Sequence, residues 1–496
     1  MLRAADGGAG AREALGFAAT WEGRGCEPEN AVSASSSVRS LRVLIGTLAV
    51  GALLAESAGP AFAQSAPPVS IIRDTEIEQI LRSDADPIFT AAGLDPKDVQ
   101  IHIVADKELN AFSAGGQQLF LNTGLILETK TPNQLIGVIA HETGHIAGGH
   151  LARSGEIGHQ AMGPLLLGIG LGILAAFAGA PDAAAGLVFS SSYFAEISVL
   201  GYSREQEARA DQAAVTYLEK AGVSGQGLVD FFNAFRYEEV FSDEKRFPYF
   251  RDHPLSDDRI EALAARVAQQ PHVGATDSPE AVASHALMKA KLEGFLDGPG
   301  QTLNDYPETD TSFAARYARA IAYYKETETA TALQKIDALI GERPTDPYLW
   351  ELKGQVLFEA GRPKEAEPAH RKSVELKPDA PLLLVNLGQT LLAQNDPKRY
   401  DEAIADIRRA LDREPDDPLA WRLLSEAYDG KGEAGMARLA AAEQNFNLGQ
   451  SRDARIFAMR ARDLLKKDSP EWRRATDIAL ASKPSPAELK AMGKGA

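Results

Sequence analysis

From about Thr311 the chain copies itself. Pro344 and Pro378 stand 34 residues apart, as do Gly354 and Gly388, Trp350 and Leu384, and Ala332 and Ala366. The next step, Pro378 to Pro415, is 37 residues and brings Trp421 to the Trp350 position, so three residues are inserted around Asn395 to Arg399. With helical patterning, that period describes one helix–turn–helix unit per repeat. Small residues stand where paired helices approach, and a proline ends each second helix. Such a unit buries its apolar face only against the next one, which restricts this part of the chain to a stacked α-solenoid.

Trp, Gly, Ala and Pro at these offsets form the tetratricopeptide repeat (TPR) signature. The solenoid is expected over 311–480, with helices near Ala434–Leu448 and Arg452–Lys466 closing its core. A chain of 496 residues holds more than one folding unit, so residues ahead of the repeats must form another. The formal charge of −17 repels phosphate backbones and argues against a nucleic-acid partner. Cys26 is the single cysteine, which rules out a disulfide framework and a Cys-based zinc site.

Residues 38–63 read as an export address. Arg39 and Arg42 supply positive charge, Val43 to Ala55 is uncharged, and Ala61-Phe62-Ala63 has the form of a cleavage site. The mature chain then begins near Gln64 and is expected in the periplasm. Residues 1–37 carry no core pattern and are expected to be an artefact of the assigned start.

Past the signal, Asp74 to Ala92 has an amphipathic helical pattern, and Val99–Val104 and Gln117–Asn122 alternate as strands. Thr131-Pro132-Asn133-Gln134 opens a capped helix expected to run to about Arg153. That helix carries His141-Glu142-Thr143-Gly144-His145. Two imidazoles at i and i+4 share one helical face and can bind a single ion, and Glu142 projects beside it, able to hold its water. A third ligand must come from elsewhere. Ser203 to Asp211 offers Glu207 and Asp211 at i,i+4, where idle like charges would cost about 0.2–0.5 kcal/mol. A ligating Glu207 with Asp211 orienting a histidine would use that arrangement. A solvated acidic face neutralised by Arg204 and Arg209 is the alternative, and Glu205 is the next candidate ligand.

Four stretches, N-A-F-S-A-G-G-Q-Q-L-F-L-N-T-G-L-I, H-E-T-G-H-I-A-G-G-H-L-A-R, S-R-E-Q-E-A-R-A-D and H-P-L-S-D-D-R-I, occur in this order. Together they resemble the HtpX/CAAX-protease superfamily of HExxH zinc metallopeptidases (gluzincins), and within it the secreted, TPR-bearing, BepA-like branch. The resemblance covers about residues 70–270. It implies a mainly α fold with a small β-sheet: a zinc metalloprotease domain over 64–270, a connector with one helix inside it over 271–310, then the solenoid. It implies one zinc ion on His141, His145 and Glu207, with Glu142 as catalytic base and Asp211 supporting the ligands. Asn110-Ala111-Phe112, a Gly-Gly bend and then Gln117, Gln118, Leu119, Phe120, Leu121 and Asn122 match an active-site edge strand that holds substrate backbone, with an ordinary paired strand as the alternative. His253, which opens the next helix with Pro254, matches a histidine able to fill the fourth zinc position and keep the enzyme latent. Arg259 is expected to orient this segment through carboxylates.

The implied activity is peptide-bond hydrolysis on misfolded or stalled envelope and outer-membrane proteins, with the assembly machinery contacted through the TPR. The rival reading is a TPR chaperone or adaptor whose protease is latent. Within 163–200, the uncharged stretch Gly163 to Ala180 approaches a membrane-spanning length. His145 and Glu207 must nevertheless meet, so a helical hairpin packed on the protease or touching a membrane surface is expected. His102 is expected to pack beside its strand, and His150, five residues past the second ligand, is rotated off the metal face. His159, His272, His285 and His370 show no partner pattern, and all six are expected to be structural or solvated.

Overall fold

The structure, a computed structural model, describes residues 3–4, 71–114, 117–150, 204–236 and 253–482. The export signal, the prefix up to residue 37 apart from 3–4, the uncharged stretches over 157–195 and the loop at 238–252 lie outside the described residues.

The fold is mainly helical with one small mixed sheet. Its strands are β1 (Arg3–Ala4), β2 (Ile71–Arg73), β3 (Gln100–Val104), β4 (Ala111–Ala114) and β5 (Gln118–Asn122), in the order β1-β2-β3-β5-β4. β3 and β5 run parallel, and β4 folds back antiparallel onto β5. This corrects one expectation. The Gln117–Leu121 stretch was expected at the sheet edge, but β5 is paired on both sides and Leu119 and Leu121 are fully buried. β4 pairs with β5 alone, so among the described residues it is the outer strand on that side.

Helix α1 (Thr75–Ala91) is capped by Asp74, whose side chain accepts from the Ile77 N–H at 2.9 Å. After the short α2 (Thr123–Glu128) comes α3 (Pro132–Gly148), with Thr131 accepting from the Gln134 N–H at 3.2 Å. The Gln134 side chain completes the cap one residue upstream of the usual place, accepting from Lys130 N–H at 2.8 Å. Residues on every side of α3 are buried, as befits a helix that is apolar nearly all round. It ends at Gly149 in the left-handed conformation rather than near Arg153, because glycine takes that cap without a Cβ penalty. Around it stand α4 (204–221), α5 (Gln226–Phe235) and α6 (Asp257–Val267). α6 begins three residues later than Pro254 suggested, because Ser256 caps it by accepting from the Arg259 N–H. His253 and Pro254 therefore stand in the approach to the helix.

Residues 271–310, expected as a connector with one helix inside it, contain two helices, α7 (Pro279–Leu296) and α8 (Pro299–Asp305). Met288 and Leu292 of α7 belong to the core around the sheet and α3, while Leu287 joins the first core of the repeats. Lys291, 2% exposed, reaches back to Asp74 and Glu76, each at 2.9 Å.

The repeats follow as helical pairs: α9 (Phe313–Lys325) with α10 (Thr329–Glu342), α11 (Pro347–Glu359) with α12 (Pro363–Leu376), and α13 (Pro381–Leu392) with α14 (Tyr400–Leu411). Then come α15 (Pro418–Gly430) with α16 (Ala434–Asn447), and α17 (Ser451–Leu464) with α18 (Pro470–Ala481). The sequence period is visible as one repeated bond. Trp350 Nε1 donates to the Pro344 carbonyl at 2.9 Å, and Trp421 Nε1 to the Pro415 carbonyl at 2.7 Å. The three-residue insertion is a single 3₁₀ turn, Pro397–Arg399. Arg73 of β2 joins Glu414 at 2.9 Å and the Tyr317 hydroxyl donates to Glu76 of α1 at 3.0 Å, so the repeats lie against β2 and α1.

Candidate metal centre

Four side chains from three segments meet beside α3. The Nε2 atoms of His141 and His145 are 3.2 Å apart, and Glu207 on α4 reaches both at 3.2 Å. Nδ1 of His253 closes the group, 3.4 Å from His141 Nε2 and 3.2 Å from Glu207. α3 and α4 come close enough for this because Gly144 faces Ala210; a Cβ on Gly144 would stand 2.9 Å from the Ala210 carbonyl oxygen.

The donor set fits a metal ion. Metal–nitrogen and metal–oxygen bonds to zinc are about 2.0–2.2 Å, which gives edges of about 3.3–3.6 Å in a tetrahedron. The observed edges run from 3.2 to 3.4 Å. Nδ1 of His141 faces Asp211 Oδ1 at 3.0 Å, so its proton belongs there and the Nε2 lone pair points into the group. Ring lone pairs and a carboxylate crowded this closely repel each other unless a cation lies among them.

Electrostatics give the same answer. Burial pulls the His141 pKa down, but the carboxylates of Asp211 and Glu207, 3.0 and 3.2 Å away, outweigh it and push it up to about 10 in the metal-free protein. Burial would raise Glu207, yet the three histidines around it hold it below the usual carboxylate range. Asp211 is lowered in the same sense, its burial outweighed by His141 and Arg259. These buried acids require positive charge, supplied by protons or by a metal ion.

Arg259 fixes the acids in turn. It forms a two-pronged pair with Asp211, both contacts at 2.9 Å, lies 3.2 Å from Glu207, and donates to the Pro254 carbonyl at 2.5 Å. Phe232 of α5 packs edge-on against His141, with centroids 6.0 Å apart, and carries the Arg259 guanidinium over its ring. Glu142 is fully buried, and Nε2 of His253 stands 3.3 Å from its Oε1. Glu205, the other acid considered as a ligand, is exposed and pairs with Arg209 on the same helix.

The remaining histidines divide. His102 stacks on Phe120 of the neighbouring strand at 4.6 Å, and Phe120 stacks on Phe112 at 4.8 Å. His285 and His370 are buried against Thr129 and Thr390. His150, expected to be structural or solvated, lies instead at the site: its Nδ1 is 3.0 Å from Nδ1 of His145. Helical spacing counts it off the metal face, but Gly149 ends the helix and turns the chain back. The adjacent glycines Gly148 and Gly149 were the available signal.

Comparison with known proteins agrees with this architecture. Residues 72–267 match peptidase family M48, and residues 317–381 and 385–447 match the tetratricopeptide repeat. The chain is 24% identical over 359 residues to a beta-barrel assembly-enhancing protease of Yersinia pestis, covering 69% of this chain and 70% of that one. It is 23% identical over 369 residues to the beta-barrel assembly-enhancing protease of Escherichia coli (strain K12), covering 72% and 73% respectively. Similarity to the mitochondrial metalloendopeptidase OMA1 of Bos taurus is 26% over 212 residues, covering 41% of this chain and 40% of that one. The chain thus carries a peptidase family M48 metallopeptidase domain, built around the His141, His145, Glu207 and His253 cluster, ahead of tetratricopeptide repeats.

Proposed function

We propose that this protein is a zinc-dependent endopeptidase of the bacterial envelope whose repeats engage protein partners during quality control or assembly of outer-membrane proteins. The observation that carries the reading is the convergence of His141, His145 and Glu207 on one point with the buried Glu142 beside it. Two histidines and a glutamate, without sulfur, are the ligand set of a catalytic zinc site. The envelope role is supported by the export signal in the sequence and by relatives named for β-barrel assembly.

When bound, zinc supplies Lewis acidity, polarising a carbonyl oxygen and acidifying water. His141, His145 and Glu207 would hold it. Glu142 takes the proton of the attacking water and returns it to the leaving amine as the peptide bond breaks. Asp211 keeps the His141 proton on Nδ1, and Arg259 keeps Asp211 and Glu207 in place. β4, lying beside α3 with an open outer side among the described residues, is the surface along which an extended peptide can pair its backbone.

A second reading rests on His253, which stands among the ligands and beside Glu142. On that reading the chain works mainly as a TPR chaperone or adaptor, and the protease is held latent. Casein hydrolysis by wild type and Glu142→Gln, with and without a chelator, separates the two. Hydrolysis lost in the variant and in chelator supports the peptidase. Equal rescue of an envelope defect by wild type and Glu142→Gln supports the adaptor.

A further inference from the structure

The geometry points to His150 as a positioning residue that fixes the tautomer and direction of His145, and with them the strength of metal binding. The inference rests on reading His145 as a metal ligand. For Nε2 of His145 to offer its lone pair to an ion, the ring proton must sit on Nδ1. That N–H needs an acceptor, and the atom facing it is Nδ1 of His150 at 3.0 Å. His150 then carries its own proton on Nε2 and accepts through Nδ1. The arrangement parallels the other ligand, in which Nδ1 of His141 faces Asp211 at 3.0 Å. Each ligating ring therefore has its own partner on the side away from the ion: a carboxylate for His141, a neutral imidazole for His145.

The local sequence builds this contact. Gly149, at φ 62°, turns the chain back at the end of α3, so a residue five positions after His145 comes to lie on that histidine's far side. Gly148 leaves room for the returning ring, since a Cβ there would stand 2.7 Å from Nε2 of His150. His150 is buried, and its ring meets His145 edge-on with centroids 5.0 Å apart. A buried imidazole held this way has little freedom to present another atom. Partners of this kind typically change metal affinity by about 10–100-fold when removed.

The test uses the full chain and zinc alone as probe, with affinity read by competition against a chelating dye. His150→Leu, which removes the acceptor, should weaken zinc binding by about 10–100-fold. His150→Gln, whose side-chain oxygen can accept from the His145 N–H, should recover most of that loss. Gly148→Ala, which displaces the ring without touching a ligand, should reproduce the Leu result even if His150→Leu fails to fold. Thermal unfolding of the metal-free proteins should be alike for His150→Gln and wild type. Wild-type affinity in Gly148→Ala or in a folded His150→Leu overturns the inference, as does equal loss in the Gln and Leu variants. His145→Ala is the control: if it keeps full zinc affinity, the ligand reading itself has failed, which is a separate result.

Discussion

Nε2 of His253 stands 3.3 Å from Oε1 of Glu142, while Nδ1 of the same ring is 3.2 Å from each oxygen of Glu207. One imidazole therefore lies between the carboxylate assigned to proton transfer and a carboxylate assigned to the metal. A catalytic zinc site needs a position open to water or substrate. Replacing His253 with Ala should clear that position, so His253→Ala should hydrolyse casein and cleave itself faster than wild type at equal zinc content. Slower hydrolysis would mean that the ring serves the reaction directly, and the latent state should then be abandoned.

Ligands and base should separate cleanly under mutation. His141→Ala, His145→Ala and Glu207→Ala should each lose proteolysis and lower zinc content. Glu142→Gln should keep zinc while activity falls by about 10²–10⁴-fold, the usual worth of a positioned acid–base group. Elemental analysis beside casein hydrolysis checks both. Full zinc in Glu207→Ala would remove that residue from the ligand set.

Metal uptake should release protons. His141 in the metal-free protein titrates at about 10, pushed there by Asp211 and Glu207 against its burial. A ligand must be deprotonated, so below that pH the ion displaces a proton. Zinc affinity should consequently rise with pH, by about tenfold per unit for each proton displaced. Calorimetry at pH 7.5 in buffers of different ionisation enthalpy measures the number released. A value of zero would show that His141 is already neutral.

Gly144→Ala tests how the two ligand-bearing helices meet. The added methyl would stand 2.9 Å from the Ala210 carbonyl oxygen and 3.0 Å from Ala210 Cα. Backbone cannot yield as a flexible side chain can, so α4 must shift and carry Glu207 away from His141 and His145. Zinc content and activity should drop together, whereas Ala at the solvent-facing Gly341, where nothing lies within 4 Å, should leave both unchanged.

Much of this was legible in advance, for physical reasons. The helical period and the i,i+4 pair are local, so the spacing of Trp350, Trp421, His141 and His145 shows directly in the order of residues. Glu207 could be approached only as a candidate, because its meeting with α3 depends on packing at Gly144. Strand order is decided by pairing partners that lie far apart in sequence. Nothing in Gln118–Asn122 itself says that β3 will lie beside it, and its assignment to the edge was wrong for that reason. His150 was missed because helical counting assumes that the helix continues, and Gly149 stops it.

Lys291 tests the junction between protease and repeats. Its ammonium is buried between Asp74 and Glu76, and Tyr317 adds a hydrogen bond to Glu76. Lys291→Met would leave the buried Glu76 without its cation and take one positive partner from Asp74, and breaking such a group costs about 3–5 kcal/mol. Thermal unfolding should shift down markedly, and Asp74→Asn with Glu76→Gln in the Met background should restore part of the loss. An unchanged midpoint in the single variant would mean that the acids find other partners.

Helix α7 puts Met288 and Leu292 into one apolar core and Leu287 into the next. A catalytic fragment cut ahead of Pro279 would therefore expose oily surface where α7 had been and invite aggregation. The repeats released by the same cut would keep α7 but leave its other face bare. Recombination in such a lineage would succeed more readily beyond α7 than before it, because exchanged repeats could then be grafted onto a peptidase whose interior was already sealed.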